Sequence, residues 1–129
     1  HAERRVRLES VQNATDQARH VARSIVGRGD AYREVAWFWS DQGDMKLQTA
    51  GLSFDADRHV ISGNPEENAF SVYHFQGSRL LAVDSINRPA DHMIARRLLA
   101  AGISPTDADI AAGPQHLKQL AAEKSLAPA

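Results

Sequence analysis

The chain has 129 residues, enough for one domain with a modest core. Apolar residues make up 43% and charged residues 24%, and 15 basic against 16 acidic side chains give a net charge of −1. That balance disfavours a general nucleic-acid binder, which needs a large positive field. No apolar run approaches the roughly 18 residues of a membrane span. Cysteine is absent, which removes disulfides, thiolate metal sites and cysteine nucleophiles together and suits a reducing cytoplasm.

The chain opens on His1 rather than methionine and runs through Arg4-Arg5-Val6-Arg7-Leu8 directly into a helix pattern. Nothing there has the basic, apolar and cleavage regions of a signal peptide, so the sequence reads as a fragment of something longer. Val11, Ala14, Ala18, Val21, Ala22 and Ile25 recur at spacings of three and four, which predicts an amphipathic helix. Ser10 is its expected N-cap and Gly27 its left-handed stop. Gly27-Arg28-Gly29-Asp30 then reads as a flexible joint.

A series of strands follows. Trp37-Phe38-Trp39, Met45 to Leu52, Arg58 to Ser62, Phe70 to Phe75 and Leu80 to Val83 are short and separated by turn residues. Gln76-Gly77-Ser78 between two of them is a hairpin signal. Short strands on short turns imply antiparallel pairing, because parallel pairs need a long crossover. The last third turns helical. Asn87 is the expected N-cap of a helix with Pro89 and Asp91 in its first turn, an apolar stripe of Ala90, Ile94, Leu98 and Ala101, and Gly102 as the stop. Ser104-Pro105-Thr106-Asp107 starts a second helix. Leu117 to Leu120 reads as a last turn, and residues 121–129 as a disordered tail. The predicted class is α+β, an antiparallel sheet with helices gathered to one side.

Much chemistry is missing. No G-x-G-x-x-G or G-x-x-x-x-G-K-[ST] occurs, so neither a dinucleotide nor a nucleoside triphosphate finds a phosphate cradle. The six histidines never fall at a metal-ligand spacing. Asp84, Ser85 and His92 lack the nucleophile elbow and oxyanion donors that a triad needs. No catalytic residue is assigned, and the chain alone is expected to be inactive.

Two stretches remain. Arg7-Leu8-Glu9-Ser10-Val11-Gln12-Asn13-Ala14 leads from extended chain into a helix, presenting free N–H groups and a positive dipole end to an anion. An ordinary capped helix has the same pattern. Trp37-Phe38-Trp39-Ser40-Asp41-Gln42 sends both tryptophans to one face of a strand, for core packing, a planar ring or a partner.

These stretches, with Leu47-Gln48-x-Ala50-Gly51-Leu52, Phe70-Ser71-Val72-Tyr73 and Ala82-Val83-Asp84-Ser85-Ile86-Asn87-Arg88-Pro89-Ala90-Asp91, occur in an order that resembles one family. It is the oxygenase-coupled NADH:ferredoxin reductases, of the putidaredoxin reductase and rhodocoxin reductase type, and the resemblance covers roughly residues 5 to 120. It implies that residues 1–30 close an FAD-binding domain and that 31–120 form the C-terminal domain that caps the flavin. Such reductases pass electrons from NADH through FAD to a 2Fe–2S ferredoxin serving a haem or related oxygenase.

By the same resemblance Glu9, Ser10 and Val11 lie beside the flavin ring, with Trp37 near it. Trp39 stands between flavin and docked ferredoxin, and Arg19 and Lys46 supply positive charge to the acidic partner. NADH would bind in a domain outside this chain, and FAD binding by the chain itself is expected to be absent or weak. The family generally carries proline before the aromatic run, where this chain has Ala36. The alternative reading is a free-standing interaction or dimerisation module, in which the first helix can swap onto a second copy.

Overall fold

The computed structural model describes residues 5–125, with side chains through Glu123. Helix α1 spans Val11–Ile25 and is followed by strands β1 (Trp37–Gln42), β2 (Met45–Gly51), β3 (Arg58–Asn64), β4 (Ala69–Gln76) and β5 (Arg79–Ile86). Helices α2 (Pro89–Ala100), α3 (Asp107–Ala111) and α4 (Pro114–Ser125) complete the order. The sheet runs β1-β2-β5-β4-β3 with every neighbouring pair antiparallel. The predicted α+β class therefore holds, and each predicted strand is present.

Turn chemistry sets the register. Gly77, at φ +55, takes the left-handed place in the β4–β5 turn, and its N–H donates to the Asp57 carboxylate at 2.9 Å. Register then decides burial. Trp37, Ala50, Val83, Tyr73 and Val60 form one cross-strand row, and α2 packs against it over β2 and β5. Ala50, Val83 and Tyr73 are fully buried there beneath Ile94, Ala95 and Leu98 of α2. The neighbouring row of Phe38, Thr49, Asp84, Val72 and Ile61 faces the other way and stays partly or wholly exposed.

Four expectations need correcting. Residues 121–125 are not a disordered tail: α4 continues to Ser125, because Leu117 and Ala121, one turn apart, are buried in the core. Residues 126–129 lie outside the described part. Asn87 is not the cap of α2. It adopts φ +52, and its side chain accepts from the Lys46 N–H at 2.9 Å and donates to the Asn68 carbonyl at 3.0 Å. Arg88 occupies the N-cap position without a side-chain capping bond, and Pro89 takes the first helical position. The α2 stripe includes Ile94 and Leu98 as expected, but Ala90 and Ala101 are exposed and Asp91, His92 and Ala95 are buried in their place. Finally, α1 keeps its apolar side chains Val11, Val21 and Ile25 exposed and buries Gln12 and Asn13.

Asp91 is buried for a reason. Its carboxylate holds the Arg88 guanidinium at 2.7 Å and accepts from Ser71 Oγ at 2.8 Å, while Ser71 and its cross-strand neighbour Ser85 lie 3.0 Å apart. A charge this deep needs its partner. Arg88→Met, which keeps the apolar stem, is expected to destabilise the fold by about 3 kcal/mol. Urea unfolding measures it, and a loss below about 1 kcal/mol would show the pair to be dispensable.

Candidate functional site

Where α1 meets the sheet, its polar face does the joining. Gln12 Oε1 accepts from the backbone N–H of Trp37 at 3.1 Å, across the edge of β1. Asn13 donates to the Leu8 carbonyl at 2.8 Å and accepts from Gln17 at 2.9 Å and from the Tyr32 hydroxyl at 3.4 Å. Ser10 caps the helix as expected, accepting from the Asn13 N–H at 3.1 Å. These bonds hold the extended residues 7–10 alongside the β1–β2 hairpin.

A cleft of about 230 Å³ lies between them. Leu8, Glu9 and Ser10 form one wall, and Trp37, Phe38, Thr49 and Gly51 the other. Gly51 has to be glycine: at φ +81 its Cβ would meet the Leu81 carbonyl oxygen at 2.1 Å. Ser10, the N-cap of α1, lines the cleft, so the helix begins at its rim. The cleft thus combines a helix N-terminus, a hydroxyl and an aromatic wall, which suits the edge of a planar, electron-rich ring.

Trp37 has a second environment. Its ring lies 5.5 Å from that of Trp39 and 5.7 Å from that of His92, and the Arg96 guanidinium stands 4.4 Å above it. It also lines a groove of about 330 Å³ with Arg33, Arg96, Arg97, Asp16, Glu34 and Met93. Trp37 is therefore the partition between the cleft and a groove of mixed charge in which three arginines face two carboxylates. Trp39, 41% exposed, continues the aromatic stack outward.

Of the residues singled out from sequence, Glu9, Ser10 and Trp37 come together in the cleft. Val11 starts the helix, but its side chain is 67% exposed and forms no part of the wall. Trp39 does not line the cleft either; Phe38 joins Trp37 in the wall instead. Arg19 lies in a different groove, with His20, Arg23 and Tyr32, and pairs with Asp16 at 3.7 Å. Lys46 is exposed on β2, on the same sheet face as Gln48, the cross-strand neighbour of Trp39. Sequence reasoning missed Gln12, Phe38, His92 and Arg96. Arg96 and His92 are one helical turn apart, a spacing that could have placed them on one face of α2.

His92 is almost fully buried, and neither ring nitrogen has a hydrogen-bond partner among the described residues. Burial penalises the imidazolium and Arg96 repels it, so the ring's pKa falls from 6.5 to about 4. The unfolded chain would take up this proton near the ordinary value, whereas the folded chain resists it until far lower pH. The contribution to stability is intact above about 6.5 and is lost as pH falls towards about 4. His92→Leu should flatten the decline of urea stability through that window. An unchanged slope would place the acid sensitivity elsewhere.

Comparison with known proteins bears on the whole arrangement. The family described as "Reductase C-terminal" matches residues 37–121. Rhodocoxin reductase of Rhodococcus erythropolis is 55% identical over 95 residues, covering 74% of this chain and 22% of that protein. Putidaredoxin reductase of Pseudomonas putida is 40% identical over 97 residues, 75% of this chain and 23% of that one. Among solved structures, a ferredoxin reductase from Rhodopseudomonas palustris superposes with a TM-score of 0.85 at 44% identity, covering 90% of this chain and 29% of that one. The covalent complex of putidaredoxin reductase with putidaredoxin gives a TM-score of 0.84 at 33% identity, covering 94% of this chain and 30% of that chain. The chain spans less than a third of the length of these relatives. With the family model matching residues 37–121 and the fold superposing on these structures, the chain belongs to the reductase C-terminal family.

Proposed function

We propose that the chain is the flavin-capping and ferredoxin-docking part of a cytoplasmic, FAD-dependent NADH:ferredoxin oxidoreductase that supplies an oxygenase. The observation that carries this reading is the position of Trp37, which walls both the cleft at the α1 start and the groove bordered by Arg96 and Arg97. FAD, when bound, supplies the conversion of a two-electron hydride into two single-electron transfers.

The residues present fit one edge of such a cofactor and no more of it. Glu9 and the N-cap Ser10 line the cleft, where the start of α1 would favour developing negative charge by about 0.3–1 kcal/mol. Phe38 and Trp37 form the apolar part of the opposite wall. The phosphates would be cradled outside this chain, since no G-x-G-x-x-G occurs in it. Trp39 offers a half-exposed aromatic anchor to a docked partner. Arg96 joins the expected Arg19 and Lys46 as a source of attraction for an acidic surface. The exposed Val11, Val21 and Ile25 of α1 support burial of that helix against further protein, either the flavin domain of the same polypeptide or a second copy.

In the complete reductase, Trp39→Ala should lower kcat/KM for ferredoxin by about 30-fold, an interface-anchor loss of about 2 kcal/mol. Flavin reduction by NADH should change less than about twofold. Equal losses in both half-reactions would remove Trp39 from the docking face. The isolated 129-residue chain should purify without FAD; a yellow sample with stoichiometric FAD would contradict the division of roles. Sedimentation of that chain as a monomer would dismiss the second-copy reading.

A further inference from the structure

The outward sheet face carries a side-chain cluster that the cleft does not use. His59 of β3 and His74 of β4 are direct cross-strand partners, and their Nδ1 atoms lie 2.9 Å apart with the rings nearly perpendicular. His74 Nε2 is 2.8 Å from Asp84 Oδ2 on β5. A carboxylate can only accept, so in the neutral ring Nε2 carries the proton and Nδ1 keeps its lone pair. That is the arrangement in which a carboxylate fixes the tautomer and ring orientation of a histidine ligand. His59 is exposed, which leaves the pair open to solvent.

We propose that His59 and His74 form a cross-strand chelate for a divalent transition-metal ion, with Asp84 orienting His74. Bonds of roughly 2.0–2.1 Å to both Nδ1 atoms at the observed separation subtend an angle of about 90° at the metal. That is the angle between adjacent ligands in tetragonal or octahedral coordination, which Cu²⁺ and Ni²⁺ prefer. The tetrahedral angle of Zn²⁺ requires the nitrogens to separate to about 3.3 Å. Among the described residues no three His, Cys, Asp or Glu side chains converge on a single metal position, so water completes the coordination. Two imidazoles without a carboxylate in direct contact give no hold on Mg²⁺ or Ca²⁺, which take oxygen ligands. In the absence of metal, a hydrogen bond from His59 Nδ1–H to His74 Nδ1 spans the same gap. Metal binding requires His59 to take its other neutral tautomer, with the proton on Nε2 and the Nδ1 lone pair free.

The pair forms because register puts it there. His59 and His74 stand opposite each other, and the β-bulge between His74 and Phe75 falls next to the site. The cleft is walled by β1 and β2 and the pair bridges β3 and β4, with Asp84 the cross-strand neighbour of Thr49 in the cleft wall. None of His59, His74 and Asp84 lines the cleft, so the assignment uses no cleft residue.

Calorimetric titration of the 129-residue chain with Cu²⁺, Ni²⁺, Zn²⁺ and Mg²⁺ at about pH 7.5 tests it, with electron paramagnetic resonance of the Cu²⁺ form to detect coordinated nitrogen. One equivalent should bind, Cu²⁺ tighter than Ni²⁺, Ni²⁺ tighter than Zn²⁺, and Mg²⁺ not at all. His59→Gln and His74→Gln should each abolish the event while the circular dichroism spectrum stays native, and Asp84→Ala should weaken it by roughly 10–100-fold. His116→Gln, remote and paired with Asp109, should leave it unchanged. Undiminished binding by His59→Gln, or no saturable binding of Cu²⁺ or Ni²⁺ by the parent chain, would overturn the proposal. Tetrahedral Zn²⁺ preferred over both would overturn the angular assignment.

Discussion

The contact on which the cleft depends is the one from Gln12 Oε1 to the Trp37 N–H. Strand β1 is an edge of the sheet, and an edge strand presents unpaired backbone donors that have to be satisfied or covered. Gln12 takes one of them, and in doing so it fixes the height of α1 on the sheet. Residues 7–10 are then carried to the β1–β2 hairpin by the Ser10 cap and the Asn13 bond to the Leu8 carbonyl. Without that chain of polar contacts the cleft would have one wall. This explains why the helix buries Gln12 and Asn13 rather than its valines: the buried amides are hydrogen-bonded, as buried polar groups must be.

Trp37 shows how the same residue serves packing and site together. Its backbone meets α1, while its ring contacts His92, Arg96 and Trp39. Burial and the nearby Arg96 depress the pKa of His92, so at neutral pH no second positive charge competes with the guanidinium at the indole. The buried Asp91–Arg88 pair at the N-terminal end of α2 fixes the helix from which both His92 and Arg96 project. Ring placement at the cleft therefore depends on an ion pair one turn away.

Local signals were legible in the sequence where a single residue dictates backbone geometry. Gly27, Gly77 and Gly102 all take left-handed conformations where turns or helix stops were expected, and Ser10 caps α1. Asn87 misled because it too is left-handed, yet its amide bridges β2 and the β3–β4 connection, a tertiary role no local pattern reveals. The α4 extension was hidden by alanine: Ala121 gives little hydrophobic signal but is 4% exposed in a tight helix–helix contact. Of the site, Glu9, Ser10 and the tryptophans were visible through the ordered motifs. Gln12, His92 and Arg96 were not, since each acts through a partner distant in sequence.

Alternation along the strands ties these observations together. Because side chains change face at every residue, β1 gives Trp37 and Trp39 to the helix-covered side and Phe38 to the outward side. The same parity places Ser71, Tyr73 and Phe75 of β4 in the core and leaves His74 and Val72 facing out with Asp84. A slip of one residue between β4 and β5 would bury the His74 face and expose Tyr73. Core formation alone penalises that slip, so His74 keeps its alignment with Asp84 without contributing to the core itself. The buried row thus holds two chemically unlike regions in register, an aromatic wall at the β1 edge and an imidazole pair near the β3 edge.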